Sequence, residues 1–325
     1  MNNVVLISGS SNYKLSNNIS MYLNINLIKC ELDKFKNGEI KIEIKNNIKS
    51  QDVVIIQSGY NNYNDKNTND IIMETILLID ACRRSNAKSI TLIYSCYPYA
   101  RQDRKDNSRV PISASILARM LELSGVTRVI SLDLHSPQIQ GFFKCPVDNL
   151  YSIKLVEYEL YKMYNGNYEN LIFVAPDAGA AKRTFSFAKQ IGVKTCIMHK
   201  ERDYSNGGEI SRTVIVCNEK EPHKKTAVII DDIIDSGGTF MKACEQLINY
   251  GFNEVIGIIS HGYFTNNSID NLNKCKFIKK IIITNSICQQ QNIKKSKKIN
   301  VIDMSSLFGE AIKKIYEGGT LSTLF

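Results

Sequence analysis

The sequence predicts an α/β protein built on mostly parallel sheets flanked by helices. Short apolar runs of strand character alternate with helix-periodic segments from one end of the chain to the other, the pattern of parallel sheets covered on both faces. Nearly every apolar run ends in a polar, reactive group, and an open α/β sheet binds its ligands outside the carboxyl ends of its strands. The chain has 325 residues, enough for roughly two domains of about 150 residues each.

Taken in order, Val4–Ser8 is the first strand run and leads into Ser8-Gly9-Ser10. Val53–Ser58 is the second, and the periodic stretch Ile71–Arg84 after it reads as a helix. Ile90–Tyr94 opens onto Tyr97-Pro-Tyr-Ala-Arg101, and a helical pattern follows at Ser115–Ser124. Val129–Leu132 stops at Asp133-Leu134-His135, and Leu171–Ala175 at Pro176-Asp177-Ala178-Gly179, which opens a helix to Ile191. Ala227–Ile230 ends at Asp231-Asp232 before the helix Thr239–Tyr250, whose Phe240, Ala243, Cys244, Leu247 and Ile248 share one face, with Gly251 where a C-terminal cap belongs. Val255–Ser260, Ile281–Thr284 and Val301–Ile302 complete the strand set. The Asn-rich stretches Asn61–Asn69 and Asn266–Asn273 read as loops. A boundary near Leu150–Ser152 gives domains 1–150 and 151–305, with the closing helix Ser306–Tyr316, in the tail 306–325, folding back on the first.

Composition narrows the function. The 43% apolar content is that of an ordinary globular protein. No apolar run approaches the ~20 residues that span a bilayer, so no membrane partner is expected. The N-terminus Met1–Ser8 lacks basic residues and a long apolar stretch, so it reads as a strand and not as a signal peptide. Nine cysteines at 30, 82, 96, 145, 196, 217, 244, 275 and 288 include no C-x-x-C pair. They read as buried free thiols of a cytoplasmic protein, with neither a zinc site nor a disulfide framework. Net charge is +9, from 41 basic and 32 acidic residues. The basic residues are dispersed, which argues against nucleic acid and suits small polyanionic substrates.

The stretch Val228-Ile-Ile-Asp-Asp-Ile-Ile-Asp-Ser-Gly-Gly-Thr239 carries the most chemistry. A strand, an acidic pair, a small-residue turn (Asp235, Ser236, Gly237, Gly238, Thr239) and a helix can cradle a phosphate on backbone N–H groups. Asp231 and Asp232 stand ready for sugar hydroxyls beside it. Phosphate alone is repelled by acids, whereas a phosphorylated sugar is not. Tyr99-Ala-Arg-Gln-Asp-Arg-Lys-Asp106 is either a nucleotide clamp, with Arg forks suited to phosphate oxygens, or a solvated charged loop. Asp133 and His135, at i and i+2 of an extended segment, point the same way and could serve a divalent cation; a lone His is more often structural. Asp177 reads as a Mg²⁺ or hydroxyl ligand, or as a plain helix cap. Lys200 and Arg202, in His199-Lys-Glu-Arg-Asp203 before Tyr-Ser-Asn-Gly-Gly208, suit a lid over phosphates. No Walker A sequence, Gly-x-Gly-x-x-Gly fingerprint or protein-kinase set is present.

Together these segments resemble the ribose-phosphate pyrophosphokinase family, the phosphoribosyl pyrophosphate synthetases. The resemblance runs from Val4 to Phe325, through Phe35-Lys-Asn-Gly-Glu39, Tyr99–Lys105, Ser108-Arg-Val-Pro-Ile-Ser113, Asp133-Leu-His135, Gln138–Phe143, Pro146-Val-Asp-Asn149, Pro176-Asp-Ala-Gly179, His199-Lys-Glu-Arg202 and the sugar-phosphate loop. It implies two phosphoribosyltransferase-like domains, ATP and ribose 5-phosphate as substrates, Mg²⁺ as cofactor, and transfer of the pyrophosphoryl group of ATP to the anomeric hydroxyl. By motif, Phe35, Asn37, Gly38 and Glu39 approach the adenine of a neighbouring subunit, with Arg101, Gln102 and Asp103 on the same nucleotide. His135 and Asp177, with Asp133 as a weaker candidate, serve the metal. Lys200 and Arg202 stabilise the transition state with His135 beside them, Asp231 and Asp232 hold ribose hydroxyls, and Asp235–Thr239 hold the 5-phosphate. A shared adenine site implies a homo-oligomer, commonly a hexamer, with inorganic phosphate and ADP as effectors.

Four departures from the family pattern stand out: Ala180 for a second Gly, Lys49 for an Arg, Pro137 in Ser136-Pro137, and Lys144 for an acid. Lys cannot make the bidentate fork of Arg, and Pro lacks a donor, so the expectation is an unchanged reaction under altered control. Two rivals stand beside this reading. A silent regulatory subunit of the same fold would have lost the catalytic segments, and a phosphoribosyltransferase would not need those of Phe35 and Arg101.

Overall fold

The computed structural model describes residues 1, 3–203, 209–217 and 219–324, with the side chains of 200–203 and 209–212 outside that description. The chain divides into two compact units, one of Met1–Ser152, Asn285–Cys288 and Asp303–Phe325, the other of Ile153–Thr284 and Gln289–Ile302.

The first unit opens with β1 (Val4–Ser8) and α1 (Tyr13–Leu23), then β2 (Cys30–Lys34) and β3 (Ile40–Ile44), β4 (Asp52–Gln57), α2 (Thr68–Arg84), β5 (Ser89–Tyr94), α3 (Ser113–Ser124), β6 (Arg128–Leu132) and β7 (Val147–Leu150). Its sheet has the order β1-β4-β5-β6-β7 with every pair parallel. All six residues of β4 are buried, as in a strand covered on both faces. β2 and β3 form a separate antiparallel hairpin. Cys30, Leu32, Ile42 and Ile44 pack the root of the hairpin against the core of Ile55, Leu78, Leu92 and Leu117.

The second unit holds α4 (Ile153–Tyr164), β8 (Leu171–Ala175), α5 (Ala178–Ile191), β9 (Lys194–Asp203), β10 (Glu209–Cys217), β11 (Thr226–Ile234), α6 (Gly238–Tyr250), β12 (Glu254–Gly262), α7 (Ser268–Lys274), β13 (Ile278–Thr284), α8 (Gln290–Lys295) and β14 (Ile299–Ile302). Its sheet runs β10-β9-β8-β11-β12-β13-β14, parallel except for the β9–β10 pair. Phe240, Ala243, Cys244 and Leu247 are the buried face of α6, and Gly251 caps it in the left-handed conformation. The last helix, α9 (Ser305–Glu317), belongs to the first unit, where Tyr316 and Thr91 share a hydroxyl hydrogen bond of 2.8 Å.

The fold is mixed α/β with mostly parallel sheets, as the alternation predicts, but several details differ. β2, β3, β7, β9 and β10 lie outside the apolar runs: β2 and β3 alternate polar and apolar residues, β7 is half polar, and β9 is mostly polar, although Val214–Cys217 in β10 is itself an apolar run. Asn266–Asn273 is not all loop: Ser268–Lys274 forms α7, and Asn67 caps α2 in a reciprocal box with Asp70. The cysteines are not all free. Cys196 and Cys217 face each other in the β9–β10 register and are joined as a disulfide, Cα to Cα 4.4 Å; the other seven are free thiols. Their separation of 21 residues hid the pairing, which only the hairpin creates. Among the described residues no helix is long and apolar enough to cross a membrane.

Candidate active site

The acidic pair lies within β11, not beyond its end. Its parallel partner β8 leaves the ladder at Ile229↔Val174, whereas β12 stays paired as far as Ile234↔Gly262. The last residues of β11 therefore have a strand on one side and an opening on the other. Asp231 is half-buried there and Asp232 is buried. The Asp232 N–H donates to Asp231 Oδ1 at 2.9 Å, and Arg183 Nη1 lies 3.7 Å from Asp232 Oδ1. Burial, then the adjacent Asp232 charge, and more weakly Asp177, push the Asp231 carboxyl up to about 8. A crowded acidic site of this kind accepts hydroxyl groups and cations and resists a bare anion.

Asp177 opens α5 from the neighbouring strand end, and its side chain accepts from Ala180 N–H at 3.0 Å. It is therefore a helix cap, but an exposed one beside Asp231. The methyl of Ala180 is buried without disturbing this turn. Gly179 is the tighter position, since a Cβ there would sit 3.2 Å from Asp177 Oδ1.

Past Ile234 the chain turns through Asp235 and Ser236 to Gly237, the N-cap of α6. Gly237 has φ +78°, which favours glycine, and no side chain caps the helix. The first N–H groups of α6 thus lack an intrahelical partner and a side-chain cap, beside the exposed Ser236, Gly238 and Thr239. That is the construction of a phosphate cradle, with the positive end of the helix dipole behind it. Thr265, after β12, donates its hydroxyl to Asp235 Oδ1 at 2.7 Å.

In the first unit the two sequence-predicted loops leave adjacent strands, β5 and β6. Arg101 and Gln102 are exposed and Asp103 half-buried. The loop is held by Tyr99 (φ +56°), whose hydroxyl donates to Asn69 Oδ1 at 2.7 Å, and by the Gln102 N–H to Tyr99 carbonyl bond of 2.9 Å. Asp133 and His135 do not share a face. Asp133 is left-handed (φ +39°), and its buried Oδ2 accepts from the Ser152 hydroxyl at 2.5 Å, while His135 is exposed. The extended-segment argument fails there because the backbone turns at Asp133. Phe35, Asn37, Gly38 and Glu39 form the exposed tip of the β2–β3 hairpin. Gly38 (φ +92°) donates to the Phe35 carbonyl at 2.8 Å, and Asn37 Oδ1 accepts from Glu39 N–H at 3.2 Å.

The backbones of Lys200 and Arg202 lie on β9, opposite Thr213 and Ile210. Their side chains, and the expected loop at 204–208, lie outside the described residues. Among the described residues no group of three or more His, Cys, Asp or Glu side chains is arranged to hold a metal ion. Sequence reasoning missed Arg183 and Thr265. Arg183 had a local signal, being a cation on the helix opened by Asp177; Thr265 had none, since its contact spans 30 residues.

The model for the N-terminal domain of ribose phosphate pyrophosphokinase matches residues 4–125, and that for the phosphoribosyl synthetase-associated domain matches 217–325. Among solved structures the chain is similar to phosphoribosylpyrophosphate synthetase from Mycobacterium smegmatis, with 31% identity and TM-score 0.88 over 98% of this chain and 100% of that one. A partial match is to purine phosphoribosyltransferase from Pyrococcus horikoshii, 18% identical over 35% of this chain and 74% of that one, with TM-score 0.28. The two matched domains and the full-length similarity place this chain in the ribose-phosphate pyrophosphokinase family, as an enzyme of that type.

Proposed function

We propose that the protein transfers the β,γ-pyrophosphoryl group of ATP to the anomeric hydroxyl of ribose 5-phosphate. The hydroxyl oxygen bonds to the β-phosphorus, the bond from that phosphorus to the α,β-bridging oxygen breaks, and AMP leaves. The observation that carries this reading is the strand end in which acidic side chains adjoin an uncapped helix N-terminus. A sugar phosphate satisfies both halves at once: its hydroxyls donate to Asp231 and Asp232, and its phosphate accepts from the N–H groups of the turn from Asp235 to Thr239.

In this reading Arg101, Gln102 and Asp103 hold the nucleotide, and Phe35, Asn37, Gly38 and Glu39 reach the adenine of a neighbouring copy. Transfer at phosphorus rests on positioning and charge neutralisation more than on covalent chemistry, which is the part given to Lys200 and Arg202. Mg²⁺ fits the donors present. It keeps most of its waters and binds through one or two carboxylates and substrate phosphates, so Asp177, with His135 at a second site, needs no protein cage. Its contribution is to neutralise charge on the phosphates. Asp133, tied to Ser152, serves better to fix the turn that presents His135. The reading includes a cytosolic homo-oligomer with the hexamer as its form.

The test is AMP release from ATP and Mg²⁺, with and without ribose 5-phosphate. Sugar-dependent AMP supports the proposal. A folded oligomer that releases none is a silent regulatory subunit instead.

A further inference from the structure

We infer that Thr265 is a positioning residue for the sugar-phosphate loop, holding the Asp235 carboxylate so that the N-terminus of α6 stays open to a phosphate. The inference rests on the proposed function of that loop and deepens it. Asp235 stands two positions before the N-cap Gly237, and α6 has no side-chain cap. The carboxylate is engaged elsewhere: Thr265 Oγ1 donates to Asp235 Oδ1 at 2.7 Å, and Thr265 N–H donates to the Asp235 carbonyl at 3.2 Å. A second backbone bond, Tyr263 N–H to the Ile234 carbonyl at 2.9 Å, continues the same zipper.

The segment that carries Thr265 is shaped for this contact. Phe264 (φ +48°) and Asn266 (φ +54°) flank it in the left-handed conformation, which residues with a Cβ adopt at a cost and keep only where surroundings enforce it. Three residues on, Ser268 stands near Gly237, its Cβ 3.6 Å from where a Cβ on that glycine would lie. The β12–α7 connection therefore holds the loop at Asp235 and runs on past Gly237. Without the Thr265 hydroxyl, the Asp235 carboxylate loses this anchor and gains room to turn toward the N–H groups of α6, where it repels the substrate phosphate.

The experiment uses the full-length oligomer with Mg²⁺ and a non-hydrolysable ATP analogue, titrated with ribose 5-phosphate in a calorimeter. Thr265→Val removes the donor and keeps the shape; Thr265→Ser restores the donor. Loss of one hydrogen bond to a charged group is expected to weaken ribose 5-phosphate binding about tenfold in Thr265→Val. Affinity for the analogue stays unchanged, and Thr265→Ser recovers the sugar phosphate. Wild-type sugar affinity in Thr265→Val overturns the inference, as does an equal loss for both ligands with a lowered Tm. A wild-type protein that binds ribose 5-phosphate but releases no AMP removes the proposed reaction, and the Thr265 comparison still decides by affinity. One that does not bind the sugar phosphate removes both.

Discussion

Asp231 shows most directly how a single side chain is set by its strand. Its carboxyl holds a proton up to about 8 in the folded protein, against an ordinary value of 3.8. The folded state therefore binds more protons than the unfolded state between those values. Stability from this group is full below about pH 4 and is lost as pH rises toward 8. In the protein without metal or substrate, Asp231→Asn should flatten the fall in Tm over that window and raise Tm at pH 8 by at least about 2 °C. Parallel melting curves for the two proteins across pH would count against it. If Lys200 stabilises charge in the transition state, Lys200→Ala should lower kcat for AMP release by ~10²-fold or more, and near-normal turnover would remove Lys200 from the chemistry. At this scale the sequence was readable where function is local. Asp177 follows the end of β8 and Asp231 the end of the apolar run Ala227–Ile230, both visible in the apolar pattern, whereas Thr265 acquires its part only when β12 comes to lie beside β11.

Among elements, the turn into α6 is constrained at Gly237 by its left-handed backbone. Gly237→Ala places a Cβ on a residue with φ +78°, which costs about 1–2 kcal/mol. The expected outcome is a Tm lower by roughly 2–6 °C together with weaker ribose 5-phosphate binding, read by melting and by KM. An unchanged KM would separate the loop from the sugar phosphate. The central strands were legible because a strand buried on both faces is a continuous apolar run; β8 coincides with the run Leu171–Ala175, and β5 takes in the run Ile90–Tyr94. The hairpins were not read, although Ile40, Ile42 and Ile44 repeat at a period of two. The β9–β10 pair is mixed, with polar residues through much of β9 and the apolar run Val214–Cys217 closing β10. Its register, and with it the Cys196–Cys217 bond, is a non-local fact that no spacing rule reveals.

For the whole molecule, three of the four departures, Lys49, Pro137 and Lys144, fall in the first unit. Lys49 is exposed, Pro137 opens a 3-10 turn, and Lys144 N–H donates to Glu122 Oε1 at 2.5 Å. If control has changed while the reaction is kept, AMP formation should respond weakly to inorganic phosphate and ADP, and Lys49→Arg should steepen the phosphate curve. Ordinary activation and inhibition curves in the unaltered protein would refute that. The β2–β3 hairpin carries a consequence of another kind. Its root is packed in its own unit while Phe35, 51% exposed, stands at its tip. A tip that works in a neighbour's site makes damage shareable: two dead proteins can revive each other. Phe35→Ala and Lys200→Ala chains, each inactive alone, should on mixed assembly regain activity in roughly a quarter of the sites, those pairing an intact tip with an intact body. Mixtures that stay inactive would mean that each chain serves only itself.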